Sequence, residues 1–182
     1  MALGATIYVF SMQLSHVDRN VYETLELRLA RHPSESAEYL VTRLLAYCLE
    51  YTEGIAFSRG LSDPDEPAIT VRDLTGVLRA WIEVGLPEAP RLHKAAKATE
   101  RVAIYPTRDA TAWLARLADE RIHRSEHIGI SVIDPKLIAG LASKLERRMD
   151  LDLSVSEQTL YLSVGTETLT GSVEQVPLSC PT

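Results

Sequence analysis

The chain has 182 residues, of which 46% are hydrophobic and 24% charged, and its formal net charge is −6 at pH 7. This composition is typical of one globular domain with its own core, and no apolar run reaches the roughly 18 residues of a membrane span. The negative charge counts against a large nucleic-acid footprint, because strong binding of a duplex usually needs a basic face.

The N-terminal segment and the two cysteines indicate a cytoplasmic protein. Thr6-Ile7-Tyr8-Val9-Phe10 reads as a strand, and neither a basic segment nor a clear cleavage site precedes it. Cys48, on the apolar face of a predicted helix, and Cys180, in a proline-flanked tail, are the only cysteines. Two cysteines so placed make neither a disulfide framework nor a metal knuckle, so we expect reduced thiols.

The first part of the chain predicts a hairpin and a helix. Apolar and polar residues alternate over 5–14 and 21–31, which predicts two antiparallel strands joined at Asp18-Arg19-Asn20. We expect His32-Pro33-Ser34 to end the second strand and to cap a helix over 35–51, where apolar residues recur at helical spacing.

Three strands, a helix and a fourth strand are predicted next. The strands lie at 55–57, 68–72 and 77–84, with a polar loop from Gly60 to Pro67. Pro90 opens a helix over 90–99, and an apolar strand follows at 102–105. The order helix, three strands, helix, strand over about 34–106 is the minimal scaffold of the restriction-endonuclease-like fold.

The remaining residues continue the same pattern. Asp109 is expected to cap a helix, 128–133 to form a strand, and Asp134-Pro135 to begin another helix. Alternation around 151–155 and 160–162 predicts strands near the C-terminus. Because no linker or repeat interrupts the chain, we predict a single domain over 1–182 of mixed α/β (α+β) class.

Acidic and basic residues follow the predicted strands in an order that suggests chemistry. Asp65-Glu66-Pro67 precedes one strand, Glu83 ends the next, and Lys94 lies on the helix that follows. Two carboxylates at one sheet edge can hold Mg²⁺ or Mn²⁺ through oxygen. Such a cation lowers the pKa of a bound water, while an ammonium offsets developing charge. We therefore predict a PD-(D/E)XK-type nuclease site with its lysine moved from strand to helix.

The two metal-binding positions have alternatives. Asp65 and Glu66 compete for one position, and we favour Asp65 for its short reach, although the loop is also an ordinary surface turn. Glu83 is the strongest metal-ligand candidate, because a carboxylate ending an apolar strand is costly unless solvated, paired or metal-bound. The alternative for Glu83 is an edge glutamate paired with Arg79 or Arg91.

The basic residues of the site come from the second predicted helix. Gly85 stands where the pattern would carry its lysine, and it leaves room for a lysine from elsewhere. Arg91 and Lys94 share a helix face. We predict that Arg91 binds phosphate and Lys94 stabilises developing charge, with two solvated residues as the alternative. They belong to a local basic cluster made up of Arg91, His93, Lys94, Lys97 and Arg101.

Two other features point to structure rather than to a second site. His123-Arg124-Ser125-Glu126-His127 spells H-x-x-E-H, but it lies between a helix end and a strand, whereas a zinc site needs one continuous helix. We interpret it as a chance match. Trp81 and Trp113 are expected in the core or a pocket wall, because no aromatic platform with interleaved basic residues accompanies them.

Four motifs in order resemble those of the YaeQ family of small bacterial proteins. They are Asp18-Arg19-Asn20, Ala30-Arg31-His32-Pro33-Ser34-Glu35, Gly60-Leu61-Ser62 with Asp65-Glu66-Pro67, and Trp81-Ile82-Glu83-Val84-Gly85. The resemblance implies a restriction-endonuclease-like mixed sheet flanked by helices, with a PD-(D/E)XK-type site. It also implies that a glutamate of the first core helix approaches the metal, which makes Glu38 a secondary candidate beside its helix-dipole interpretation.

These observations give two hypotheses of function. The first is a Mg²⁺- or Mn²⁺-dependent phosphodiesterase acting on nucleic acid, with no membrane partner. The second is a catalytically silent protein of the same fold with a binding or regulatory role. The missing strand lysine and the acidic net charge favour the second hypothesis.

Overall fold

The computed structural model describes residues 4–58 and 65–181. The chain forms two compact units, one of residues 1–49 and 133–174 and one of residues 50–132 and 175–182. Helices and strands are mixed in both units, which confirms the predicted α+β class at that level. The prediction of a single domain over 1–182 stays a prediction. Gly60-Leu61-Ser62 and the loop up to Pro64 lie outside the described residues.

The regular elements within the described ranges are ten strands and four α-helices. The strands are β1 Thr6–His16, β2 Val21–Arg31, β3 Ile55–Phe57, β4 Ile69–Arg72, β5 Leu78–Val84, β6 Arg101–Tyr105, β7 Ile128–Ile133, β8 Arg148–Ser156, β9 Thr159–Val164 and β10 Glu167–Val176. The helices are α1 Ala37–Leu49, α2 Ala89–Ala98, α3 Thr111–Leu117 and α4 Pro135–Ser143. The order of the predicted elements is confirmed, and most predicted bounds differ by only one or two residues, but β10 was not predicted.

The first unit contains the predicted hairpin. β1 and β2 pair antiparallel from Thr6 opposite Arg31 to His16 opposite Val21. β1 also pairs in parallel with β8, and β8, β9 and β10 continue as antiparallel neighbours. The inward side chains of β1 and β2 are buried, as the alternation predicted.

Helices α1 and α4 pack against each other in the same unit. Cys48 is fully buried on α1, as predicted, and burial raises the pKa of its thiol to about 12. The thiol therefore stays protonated at neutral pH. Helix α4 begins as predicted, since the Asp134 carboxylate accepts the backbone N–H of Lys136 at 2.8 Å.

The predicted cap of α1 is wrong. The hydroxyl of Ser36 accepts the backbone N–H of Tyr39 at 3.0 Å, and the helix begins at Ala37. The residues before Ser36 form a corner instead, because the Glu35 carboxylate accepts the backbone N–H of His32 at 3.1 Å. The ring of His32 lies 2.7 Å from the hydroxyl of Ser34, so both residues serve the corner rather than the helix.

The second unit holds a sheet in the order β3-β4-β5-β6-β7. β3, β4 and β5 pair antiparallel, whereas β5, β6 and β7 pair in parallel. Parallel neighbours need a crossover, and α2 supplies it between β5 and β6. The buried residues of α2 and α3 pack on the strands, among them Leu92, Trp113 and Leu117. A short connection joins the end of β5 at Val84 to the start of α2 at Ala89.

Asp109 accepts the backbone N–H of Thr111 at the start of α3.

No helix in the described ranges is long and apolar enough to cross a membrane.

Candidate functional site

Glu83 is a buried carboxylate near the end of β5, with 6% of its surface exposed. One of its oxygens, Oε1, accepts two hydrogen bonds of 2.6 Å, from the indole Nε1–H of Trp81 and from Nε–H of Arg91. Trp81 reaches it because residues two apart on a strand point to the same face. Of the two partners considered for Glu83, Arg91 is the one that the structure provides, and Arg79 pairs with Asp73 at 2.6 Å.

Arg91 connects Glu83 to the segment before β4. Its Nη2 donates to the backbone carbonyl of Glu66 at 2.7 Å, while its Nε binds Glu83. The guanidinium carbon lies 5.6 Å from the centre of the Trp81 ring, within the range of a cation–π contact. The planar cation therefore bridges two oxygens and stacks against the indole that binds one of them.

Asp65 and Lys94 form the second ion pair of the site. The Lys94 ammonium binds the Asp65 carboxylate, and this hydrogen bond and charge lower the pKa of Asp65. The charge of Arg91 lowers the same pKa further, which places Arg91 within electrostatic reach of Asp65. Asp65 and Lys94 are 72% and 48% exposed, so water screens this pair more than the pair of Glu83.

Five predicted site residues thus lie in two hydrogen-bonded groups of the second unit. Lys94 pairs with Asp65, and Arg91 binds Glu83 and the Glu66 carbonyl. Glu66 takes part through its backbone carbonyl. Glu38 lies in the first turn of α1, in the other unit, where it is exposed and its backbone carbonyl accepts the hydroxyl of Thr42. The favourable position at a helix N-terminus accounts for this acid.

Two carboxylates and one carbonyl in this region are oxygen donors of the kind that hard divalent cations prefer. The carboxylates of Asp65 and Glu83 and the carbonyl of Glu66 are all oxygen donors, and each contacts a cationic side chain. The guanidinium of Arg91 supplies positive charge next to Glu83 and the Glu66 carbonyl. Among the described residues no group of three or more His, Cys, Asp or Glu side chains is arranged to hold a metal.

Gly85 has a backbone reason to be glycine. Its φ is +106°, which side chains rarely tolerate, and its N–H donates to the carbonyl of Tyr105 at 2.9 Å. A Cβ there would meet no heavy atom within 4 Å, so the predicted open space is present. A lysine at this position would therefore strain the backbone.

The remaining basic cluster is largely engaged by acids and backbone groups. Arg101 binds the carboxylate of Glu50, which also accepts the hydroxyl of Tyr105 at 2.7 Å. Nδ1 of His93 accepts the backbone N–H of His123 at 3.1 Å. This part of the predicted cluster therefore offers less net positive charge than its sequence indicates.

The H-x-x-E-H residues lie in a turn, as predicted. Ser125–His127 forms a short 3-10 turn between α3 and β7. Trp113 is buried, and its indole N–H donates to the carbonyl of Pro87 at 2.7 Å. Trp81 is buried as well, but its role as a donor to Glu83 was missed. The signal was its position two residues before Glu83 on a strand.

Two of the sequence motifs have structural partners in the first unit. Both carboxylate oxygens of Asp18 accept backbone N–H groups, from Glu157 at 2.8 Å and Gln158 at 3.1 Å. Arg31 donates to the carbonyl of Glu35 at 3.1 Å, and Arg43 lies 3.7 Å from its carboxylate. Burial raises the pKa of Glu35, opposed by the charge of Arg43. These motifs hold the hairpin and the corner before α1.

Comparison with known proteins gives one family. A family model described as YaeQ protein matches residues 1–173. The uncharacterized protein YaeQ of Escherichia coli K12 is 33% identical over 165 residues, covering 90% of this chain and 91% of that protein. The Salmonella typhi protein of the same description is 34% identical over the same shares.

Two solved structures are also similar. The crystal structure of YaeQ protein from Pseudomonas syringae has a TM-score of 0.83 at 32% identity, covering 94% of this chain and 96% of that one. The crystal structure of YaeQ protein from Xanthomonas axonopodis pv. citri has a TM-score of 0.84 at 27% identity, covering 97% and 99%.

Proposed function

The chain belongs to the YaeQ family, and we propose that it is a Mg²⁺- or Mn²⁺-dependent phosphodiesterase that hydrolyses nucleic acid. The proposal includes a restriction-endonuclease-like core carrying a PD-(D/E)XK-type site. The observation that carries it is a pair of contacts made by one helix. From α2, Lys94 binds Asp65 before β4, and Arg91 binds Glu83 near the end of β5.

The chain's own residues have two proposed roles. Some would hold the cation, and others would neutralise negative charge on the phosphate. Asp65, Glu83 and the carbonyl of Glu66 hold the cation, which when bound lowers the pKa of a water and polarises the phosphate. Lys94 offsets the charge that develops on the scissile phosphate. Arg91 binds a phosphate oxygen, for which its planar fork is suited.

The proposal predicts separate losses for two variants. Glu83→Gln keeps an acceptor for the indole of Trp81 but removes the negative charge, so we expect loss of both Mn²⁺ binding and cleavage. Lys94→Ala removes the proposed transition-state charge and leaves both carboxylates in place, although Asp65 loses its ion-pair partner, so cleavage should fall by about 10²–10³ with metal binding retained. Calorimetry with Mn²⁺ and cleavage of labelled single- and double-stranded DNA and RNA measure the two effects.

Glu100→Gln is the matched control, because Glu100 is an exposed carboxylate of the same unit. It should cleave and bind metal as the wild type does. Cleavage that survives in Glu83→Gln at the wild-type rate contradicts the assignment. Cleavage that survives in Lys94→Ala contradicts the role of the displaced lysine.

The second candidate function is a catalytically silent binding protein, and one observation favours it. Oε1 of Glu83 already accepts two short hydrogen bonds, so a cation there must compete with Arg91. If the wild type binds nucleic acid without cleaving it in Mg²⁺ or Mn²⁺, this function replaces the first. Binding is then expected to weaken in Arg91→Met, because that change removes a phosphate-binding charge.

A further inference from the structure

We propose that two copies of this chain associate through β2, the edge strand of the first unit. The two β2 strands lie antiparallel, with Leu27 opposite Leu27 of the second copy. The proposal concerns an interaction surface and does not depend on the phosphodiesterase function. It rests on an open strand edge and on the order of charges along that edge.

The first step is the direction of the backbone groups of β2. In an antiparallel pair, the N–H and C=O of one residue point to the same side, and alternate residues point to opposite sides. The N–H of Val9 donates to the carbonyl of Arg147, directly before β8, at 2.8 Å. Val9 therefore faces β8, and Arg28, its partner on β2, directs its N–H and C=O away from β1. By the same alternation, the other residues of β2 that point outward are Tyr22, Thr24, Glu26 and Ala30.

The second step is that this edge is open. Within the described parts of the chain, β2 pairs with β1 and with no other strand. The side chains of Glu26 and Arg28 are exposed. The carbonyl of Ala30 accepts Nη2 of Arg43 at 2.6 Å, so the open part of the edge ends there. A strand of 11 residues with such an edge is a template for a further strand.

The third step is the charge order, which selects both the partner and the register. When Leu27 faces Leu27 of a second copy, Glu26 faces Arg28 on both sides of the twofold axis. Opposite charges directly across a strand pair are favourable. Sliding one strand by two residues places either Glu26 opposite Glu26 or Arg28 opposite Arg28, and like charges there are unfavourable. A slide of one residue turns each side chain to the wrong face.

The inward face of β2 agrees with the same register. Leu25 lies opposite Leu29 of the second copy, so the apolar rows of the two strands become continuous. These leucines are already buried within each copy. The association therefore depends mainly on backbone hydrogen bonds and cross-strand pairs. We expect a reversible dimer with a dissociation constant in the micromolar range rather than an obligate one.

The test measures association of the full-length protein by sedimentation velocity, from low to high micromolar concentration. The wild type should show a monomer–dimer equilibrium. Either Glu26→Arg or Arg28→Glu alone places like charges opposite each other twice, and should weaken the dimer by about tenfold or more. The double variant should recover wild-type association, because the swapped charges again face their opposites. Circular dichroism checks that each variant is folded.

Asp152→Arg is the matched control. Asp152 is exposed on β8, opposite Gln13 of β1, so its charge reversal lies on the same sheet but away from the edge. It should leave the dimer unchanged.

A cross-linking measurement tests the register without altering these charges. Position 24 should face position 30 of the second copy. In a Cys180→Ser background, where Cys48 is buried, a mixture of Thr24→Cys and Ala30→Cys proteins should form a mixed disulfide dimer on mild oxidation. Each protein alone should form far less. Gln13→Cys, exposed on β1, is the control.

Each outcome decides for or against the self-pairing of β2. A wild type that stays monomeric overturns it and leaves the edge to a strand of another protein. A dimer that the single charge reversals leave unchanged lies on another surface, and this also overturns it. A folded double variant that stays monomeric contradicts the register. Loss of the dimer in the single variants, recovery in the double variant and the mixed disulfide together support the proposal.

Discussion

At the scale of single residues, the site is explained by charges that need partners and by one backbone angle. Glu83 is buried, and it is tolerated because Trp81 and Arg91 donate to it. Gly85 follows two residues later with a φ of +106°. The angle disfavours any side chain, including a lysine, at this position.

Gly85 gives the prediction at this scale. Gly85→Ala should lower the free energy of unfolding by about 1–3 kcal/mol, since its cost is backbone strain rather than a clash. Urea denaturation measures it. Gly129→Ala is the control, because Gly129 has no positive φ and a Cβ there meets only a carbonyl oxygen at 3.9 Å. Equal stability of Gly85→Ala and wild type would refute the strain argument.

At the scale of elements, hydrogen bonds to Asp18 connect the β1–β2 turn to the turn between β8 and β9. That second turn has two residues with positive φ, Glu157 at 50° and Gln158 at 60°, where asparagine and glycine are the usual residues. The carboxylate of Asp18 accepts the N–H groups of both. The Asp18-Arg19-Asn20 motif thus stabilises a strained turn far away in sequence.

Asp18 gives a prediction about pH. The two backbone N–H groups lower the pKa of Asp18 from 3.8, so its contribution to stability is present above that value and is lost as the pH falls through the lower folded-state pKa. Asp18→Ala should be less stable than wild type at pH 7, and the difference should shrink below pH 3.8. Thermal unfolding across this range measures it, with Asp150→Ala, exposed on β8, as the control. A difference that grows on acidification would contradict the argument.

At the scale of the whole molecule, the net charge of −6 limits how nucleic acid can be bound. Arg101 and other basic residues are paired with acids, and the proposed phosphate contacts come from Arg91 and Lys94. Affinity from few contacts depends only weakly on salt, because few counterions are released. Under the proposed function, a nucleic acid would therefore be bound over a small footprint.

The salt dependence of binding gives the prediction at this scale. With two phosphate contacts, the logarithm of the association constant for duplex DNA should fall with the logarithm of salt concentration with a slope of about −1.8. Fluorescence anisotropy with the Glu83→Gln protein measures it without cleavage. Lys94→Ala in that background should reduce the slope by about 1. A slope steeper than about −5 would reveal phosphate contacts from basic residues other than Arg91 and Lys94.

The sequence by itself determined most elements and their order, although it did not predict β10. The β1–β2 hairpin, the short strand at 55–57 and the strand at 128–133 were predicted from alternation and apolar runs, since these patterns record which face of each segment is buried. The start of α1 was missed, because the corner at Glu35 is made by side-chain contacts that no periodicity shows. The candidate site residues were also named from sequence, with Arg79 and Arg91 as alternative partners of Glu83, and the structure selects Arg91.

The tertiary structure alone decided which atoms meet. Arg91 binds Glu83 eight residues away and the carbonyl of Glu66 twenty-five residues away, and Asp18 binds a turn 139 residues away. Sequence patterns describe one segment at a time, whereas these contacts depend on how β5, α2 and the turn before β4 pack together. Whether a carboxylate binds a metal ion or an arginine depends on the distances between segments. The fold sets those distances.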